Sequence, residues 1–439
     1  MSRKKTFIRG TFILMLTGMI TRLIGFFYRI FLSQVFGAEG VGLYQLIFPI
    51  YALGYALCAS GIETTISRTV SMKIARGQTR KAKEFLKSST LFSLFLSVLI
   101  SLFVYYYANF LSTYFIQEPR TLDLLKILAY VFPFAALHSC LIGYYFGLKE
   151  TVVPAIAQLL EQLARVGSIF LLYWICMQKE SAYSISLAVV GLIIGEVVSS
   201  VFILFCVTGH KHNVLQGHVS PHVYARNLKE LLPLSTPLTA NRVTLNALHS
   251  IEAISIPSRL QMYGLSNSEA LSTYGILVGM ALPCLLFPTA ITSSVSTMLL
   301  PTVAEIQATE NLHELKQVVH KTITYCTLLG CCCLFIFFIF ADIIGQLLFG
   351  NPEVGDYLRV LAWLCPFLYL NSTLLTIITA MGKPTTTFFL NATSLVIRIG
   401  FILFLIPTVG IHGYLWGLLL SQIYITLGCG ITFKKLHIL

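Results

Sequence analysis

Residues 125–134 read LKILAYVFPF, and 233 positions later residues 358–367 read LRVLAWLCPF. At the same offset, Arg165-Val166-Gly167 returns as Arg398-Ile399-Gly400. Arginine is rare inside long apolar runs because burying it in a bilayer is costly. Its return at the same offset therefore marks an internal repeat. Thr21-Arg22-Leu23 and Asn241-Arg242-Val243 stand 220 apart, a difference that unequal loops accommodate. Lys87-Ser88-Ser89-Thr90 echoes His320-Lys321-Thr322 more faintly. The chain reads as two related halves, a lobe at 1–210 and a lobe at 229–439, joined by a polar linker at 211–228.

The repeated motifs lie in a chain of 439 residues that is 56% hydrophobic and 11% charged, with a mean hydropathy of +0.80. An ordinary soluble domain carries roughly 25% charged residues. A cytosolic enzyme, a disulfide-rich secreted domain and a disordered chain are excluded on these grounds. A bilayer crossing takes about 20 apolar residues. Twelve such segments can be placed, near 8–33, 41–66, 88–112, 122–147, 152–176, 183–208, 229–256, 271–299, 322–348, 356–381, 385–406 and 411–433. The expected fold is an all-α polytopic membrane protein with twelve transmembrane helices in two six-helix bundles. An even number of crossings per half keeps both halves in one orientation, so the repeat is parallel, about a pseudo-twofold axis along the membrane normal.

The net charge of +12 follows the same layout. With the N-terminus inside, 20 of the 30 Lys and Arg residues fall at cytoplasmic ends and 5 in outer loops. That bias places both termini in the cytoplasm. The first helix reads as uncleaved, because Arg22 interrupts its apolar run and no small-residue cleavage site follows. The loop with Arg68, Lys73, Arg76, Arg80, Lys81, Lys83 and Lys87 suits anionic lipid headgroups, and no nucleic-acid partner is expected.

The remaining 5 basic residues, Arg22, Arg29, Arg165, Arg242 and Arg398, lie within helices. Arg22 and Arg29 are seven apart and share a helix face, and Arg242 is the repeat mate of Arg22. Together they are the candidate grip for an anionic diphosphate, since a guanidinium stays charged and meets phosphate oxygens in a fork. Arg29 is open to a second reading, snorkelling to the headgroups. Glu161 and Arg165 form an i,i+4 structural ion pair, while Arg398 meets Ser394 where Glu161 would be and needs a partner on another helix. Glu63, Glu196 and Glu252 are the candidates for coupling to H⁺ or Na⁺. Asp342 and His138 read as isolated. Pro133, Pro366, Pro283 and Pro288 should kink their crossings.

No cofactor and no metal site is expected. The 11 cysteines lie in apolar runs without C-x-x-C, and read as packing residues. His210, His212, His218 and His222 are loosely spaced in the central loop. No P-loop, G-x-S-x-G or H-E-x-x-H motif occurs.

Residues 22–51 read RLIGFFYRIFLSQVFGAEGVGLYQLIFPIY and residues 60–71 read SGIETTISRTVS. These stretches, above all Gly37 to Gln45 and Pro49 to Tyr51, resemble the polysaccharide-transport branch of the MOP flippase superfamily, relatives of the MATE exporters. The resemblance implies movement of undecaprenyl-diphosphate-linked sugars, lipid II or a polysaccharide unit, from the inner to the outer leaflet of a bacterial plasma membrane. A role in sporulation rests on the resemblance alone. In related lipid II flippases, arginines of the first and seventh helices line a cationic cavity, and Arg22, Arg29 and Arg242 match that pattern. Two departures stand out. Glu63 replaces an expected proline, and no acid accompanies Asn391 at the sodium site some relatives form. Two other readings are a MATE-type multidrug or cation exporter and a membrane-embedded glycosyltransferase. The exporter needs an acidic, aromatic site that three arginines would oppose. The glycosyltransferase needs carboxylates or histidines at a membrane face.

Overall fold

The computed structural model describes residues 3–179, 184–209, 220–308 and 312–436, and among them every regular element is helical. The main helices of the first half are α1 (Arg3–Tyr55), α2 (Gly61–Ala75), α3 (Thr79–Tyr106), α4 (Leu122–Leu128), α5 (Val131–Gly147), α6 (Val152–Gln178) and α7 (Ser186–Gly209). Those of the second are α8 (Pro221–Tyr263), α9 (Asn267–Tyr274), α10 (Leu282–Leu286), α11 (Thr289–Ala308), α12 (Leu312–Phe349), α13 (Pro352–Leu361), α14 (Cys365–Ala380), α15 (Pro384–Phe404) and α16 (Ile411–Lys435).

Nine helices among the described residues are long and apolar enough to cross a bilayer, or ten with the bent pair Pro119–Leu128 and Val131–Gly147 taken as one span. The chain is a multi-pass membrane protein. The count differs from the twelve crossings read from the sequence for identifiable reasons. One helical run, Phe12–Ala75, is 64 residues long. At 1.5 Å per residue it is about three times the roughly 30 Å hydrocarbon thickness. It takes in residues 12–33 of the first segment and all of 41–66, and its backbone leaves helical geometry at Gly37, where φ is 69°. That left-handed value is open to glycine at no Cβ penalty. The 229–256 segment lies in α8, which is not among the nine. The 271–299 segment is interrupted at Phe287-Pro288, between α10 and α11.

The repeat-related prolines both follow a break in regular α-helix, but among the described residues only the first comes with a bend of more than 40°. Pro133 has no N–H to offer the carbonyl four residues back. The chain bends by 46° between α4 and α5, and the Ser101 hydroxyl donates to the orphaned Ala129 carbonyl at 2.6 Å. In the second half a 3-10 turn, Ala362–Leu364, precedes Pro366 at the equivalent place.

Contacts divide the chain into two compact units. The first comprises residues 1–25 and 46–247, the second 26–45 and 248–439. The division therefore does not run through the polar linker, of which 211–219 lie outside the described residues. Instead it cuts α1 and α8. A 43-residue helix such as α8 is about 65 Å long, so its two ends meet different neighbours. The first unit packs Ile62, Ile66, Phe85, Leu86, Cys140 and Leu231 in its core, and the second packs Val319, Ile377, Ile378, Cys429 and Phe433. All eleven cysteines are free thiols, and those in the two cores pack as small apolar residues.

Candidate functional site

The first unit holds a polar cavity of about 280 Å³, lined by Tyr51, Tyr55, Glu63, His138, Glu161 and Glu196 among others. Close helix approach builds it. A Cβ on Gly143 of α5 would meet the Glu63 carbonyl oxygen at 2.7 Å, and one on Gly195 of α7 would meet that of Glu161 at 2.8 Å. Small residues at such crossings let backbones come together in a membrane. Here they bring acids from α2, α6 and α7 around one space.

Within it, Glu196 is 5% exposed. It accepts a hydrogen bond from the Tyr51 hydroxyl at 3.2 Å, and its other oxygen lies 3.2 Å from His138 Nδ1. The far nitrogen of that ring, Nε2, is 2.7 Å from Ser199 Oγ. Glu63 accepts from Ser139 at 2.8 Å and from Tyr55 at 3.4 Å. Arg165 donates to Glu161 within α6, at the spacing read from the sequence. One ligand atom from each of His138, Glu161 and Glu196 can be chosen so that all lie within 4.8 Å of one another. The set of two carboxylates and an imidazole is chemically able to hold a cation. Glu161 and Glu196 share the Arg165 guanidinium, and Arg242 stands beside Glu63 at Thr64, so with His138 neutral the carboxylates around the cavity outnumber the cations by one. Uncompensated charge is expensive away from water, so this arrangement attracts protons or cations.

His138 is thus not the isolated residue that the sequence suggested. It bridges Glu196 and Ser199. Ser139, Ser199 and Tyr51 escaped the sequence reading, although Glu196 and Ser199 stand at the i,i+3 spacing of one helix face. Asp342 is not alone either, since Arg359 binds it at 2.5 Å.

In the second unit Arg398 finds its cross-helix partner. Its Nη1 lies 3.0 Å from Glu252 of α8. Glu252, expected as a lone acid free for an ion, also accepts from the Tyr414 hydroxyl at 2.8 Å and lies 3.3 Å from His249 Nδ1. Its charge is already matched. The Asn391 amide bonds its own helix at Thr387.

The three diphosphate candidates are distributed over both units. Arg22 and Arg242 belong to the first and have exposed side chains. Arg242 Nη2 donates to the Thr64 hydroxyl at 3.1 Å. Arg29 belongs to the second and is half-buried.

The family model for polysaccharide biosynthesis proteins matches residues 7–307. The chain belongs to the polysaccharide biosynthesis protein family. A second model, MatE, matches residues 258–404. Stage V sporulation protein B of Bacillus subtilis (strain 168) is 27% identical over 98% of this chain and 84% of its own length. The lipid II flippase MurJ of the same organism is 25% identical over 38% of this chain and 31% of its own. Among solved structures, the inward-facing conformation of a multidrug resistance MATE family transporter of the MOP superfamily superposes with a TM-score of 0.71. It covers 98% of both chains at 15% identity. That likeness gives this family member the MATE fold, and with it the paired helical bundles expected from the repeat.

Proposed function

We propose that the protein is an alternating-access flippase that moves an undecaprenyl-diphosphate-linked glycan from the inner to the outer leaflet. The glycan is lipid II or a polysaccharide unit, delivered for cell-wall, spore-cortex or polysaccharide assembly. Arg242 carries this reading. It is an exposed guanidinium in α8 whose hydrogen-bond partner is a threonine hydroxyl rather than a carboxylate, so its charge is available to phosphate oxygens. Arg22, its repeat mate in the same unit, joins it as a candidate for the grip, and Arg29 of the second unit is the third candidate. The membrane is a bacterial plasma membrane with both termini cytoplasmic. The basic stretch 68–87 meets anionic lipids. Family membership and the relatives named above support transport of a lipid-linked cargo over a transferase reaction.

Coupling to H⁺ or Na⁺ is assigned to the first unit, at Glu63 and Glu196 with His138 and Glu161, on the strength of its charge excess. Glu252 is left to Arg398. The same cavity is the one observation that favours the second reading, a MATE-type cation exporter, because it is acidic and lined by tyrosines. The close approach of His138, Glu161 and Glu196, whose ligand atoms lie within 4.8 Å of one another, suits an ion.

The test is leaflet exchange of a fluorescent undecaprenyl-diphosphate sugar in proteoliposomes. Protein-dependent exchange that falls about tenfold or more, or at least 1.4 kcal/mol in barrier, in Arg22→Ala and in Arg242→Ala supports the flippase. Exchange independent of the protein, or untouched by both changes, overturns it and turns attention to cationic dyes.

A further inference from the structure

The second unit carries a groove of about 810 Å³ between α13, α14 and α16, whose lining includes none of the residues of the arginine grip or of the acidic cluster. One end is charged. Asp356 and Arg359 of α13, the latter in its last turn, and His412 in the first turn of α16 line it. The other end is apolar and closes on Phe367 and Ile423. From His412 to Ile423 is 11 residues of helix, about 16 Å, close to the depth of one leaflet of a roughly 30 Å hydrocarbon core. The walls between are Trp363 and Trp416, 55% and 59% exposed. They are two of the three tryptophans in the chain. The turn Ala362–Leu364 ahead of Pro366 presents the first of them.

A polar head above an apolar slot one leaflet deep has the outline of a phospholipid. The charges at the rim decide which kind. Arg359 is bound to Asp342 at 2.5 Å and lies 3.8 Å from Asp356. Two carboxylates therefore share one guanidinium, leaving one negative charge, most of it on Asp356, whose side chain is 76% exposed. A purely anionic headgroup gains little here. A headgroup with both an ammonium and a phosphate matches both signs. The ammonium reaches Asp356 and the faces of the tryptophans, and the phosphate reaches Arg359, His412 and the N–H groups that open α16.

We propose that this groove binds one zwitterionic phospholipid with a primary-amine headgroup, of the phosphatidylethanolamine class. The site is independent of the cargo reading, because neither the arginine grip nor the acidic cluster contributes to it.

The experiment uses the full chain carrying Trp174→Phe, so that Trp363 and Trp416 are the only indoles. It is reconstituted in phosphatidylcholine vesicles with increasing fractions of brominated phosphatidylethanolamine or brominated phosphatidylglycerol, and tryptophan quenching is followed. The expected result is half-maximal quenching at a roughly tenfold lower fraction of the amine lipid, the size of one charge-assisted hydrogen bond. Asp356→Asn should abolish that preference without changing thermal unfolding. Equal quenching by both lipids means ordinary bilayer contact and overturns the proposal. So do a preference for phosphatidylglycerol and a preference that survives Asp356→Asn.

Discussion

The two units carry the same arginine in the same place and neutralise it differently. Arg165 takes its partner from its own helix, Glu161. Arg398 takes one from another helix, Glu252. The second site ends balanced, one charge against one, with Tyr414 and His249 around the acid. The first ends with Glu63, Glu161 and Glu196 lining one cavity, three acids with Arg165 and Arg242 beside them. A balanced buried pair is structural, since breaking it strands a charge. An unbalanced cluster with space for water or an ion is free to change its charge. The two halves thus differ in charge balance at repeat-related places, a matched pair in one and an excess of acids in the other.

The largest expected effect tests the balanced half. Arg398→Leu leaves Glu252 buried and unpaired and should destabilise the protein by about 3–5 kcal/mol, with much of that recovered in the double variant Glu252→Leu/Arg398→Leu. Glu63→Gln in the first unit removes excess charge and keeps both hydrogen bonds, so it should be neutral or stabilising. Thermal unfolding in detergent reads both, and equal losses would erase the contrast. Next comes the functional asymmetry. Glu196→Gln should slow ion-gradient-driven exchange about tenfold, while His249→Ala in the second unit should leave it unchanged. A response of the opposite pattern would move the coupling site across. Gly195→Ala presses a methyl group onto the Glu161 carbonyl and should cost about 1–3 kcal/mol by overpacking, with a shifted ion dependence. Gly400→Ala, with no atom within 4 Å of the added Cβ, should do neither. Smallest is Ser101→Ala, which orphans the Ala129 carbonyl at the proline bend and should cost about 1 kcal/mol. No equivalent serine contact is needed for a 3-10 turn such as the one before Pro366. Denaturant or thermal midpoints of Ser101→Ala and of the unaltered protein measure it.

Much of this was legible in the residues. The Arg165-Val166-Gly167 and Arg398-Ile399-Gly400 pair gave the repeat, and Glu161 at i−4 gave one ion pair, because both are local in sequence. The prolines at 133 and 366 gave the breaks, since a missing N–H is a property of one residue. Glu252 with Arg398 is 146 positions apart in the chain, and no spacing rule reaches that far. The bond between His138 and Glu196 was hidden for the same reason, and His138 looked idle until α5 and α7 were placed side by side.

By itself the sequence determined that the chain spans a membrane, that it is built of two like halves, and which charges stand inside the apolar segments. Those outcomes follow from transfer energies and helical periodicity, which act residue by residue. The tertiary structure alone decided which of those charges meet. It closed Glu252 on Arg398, gathered Glu63, His138, Glu161 and Glu196 around one cavity, and cut α1 and α8 between the units. The physical reason is that charge compensation is a property of distance in space, set by glycine-mediated helix approach, and helices far apart in the chain supply the partners.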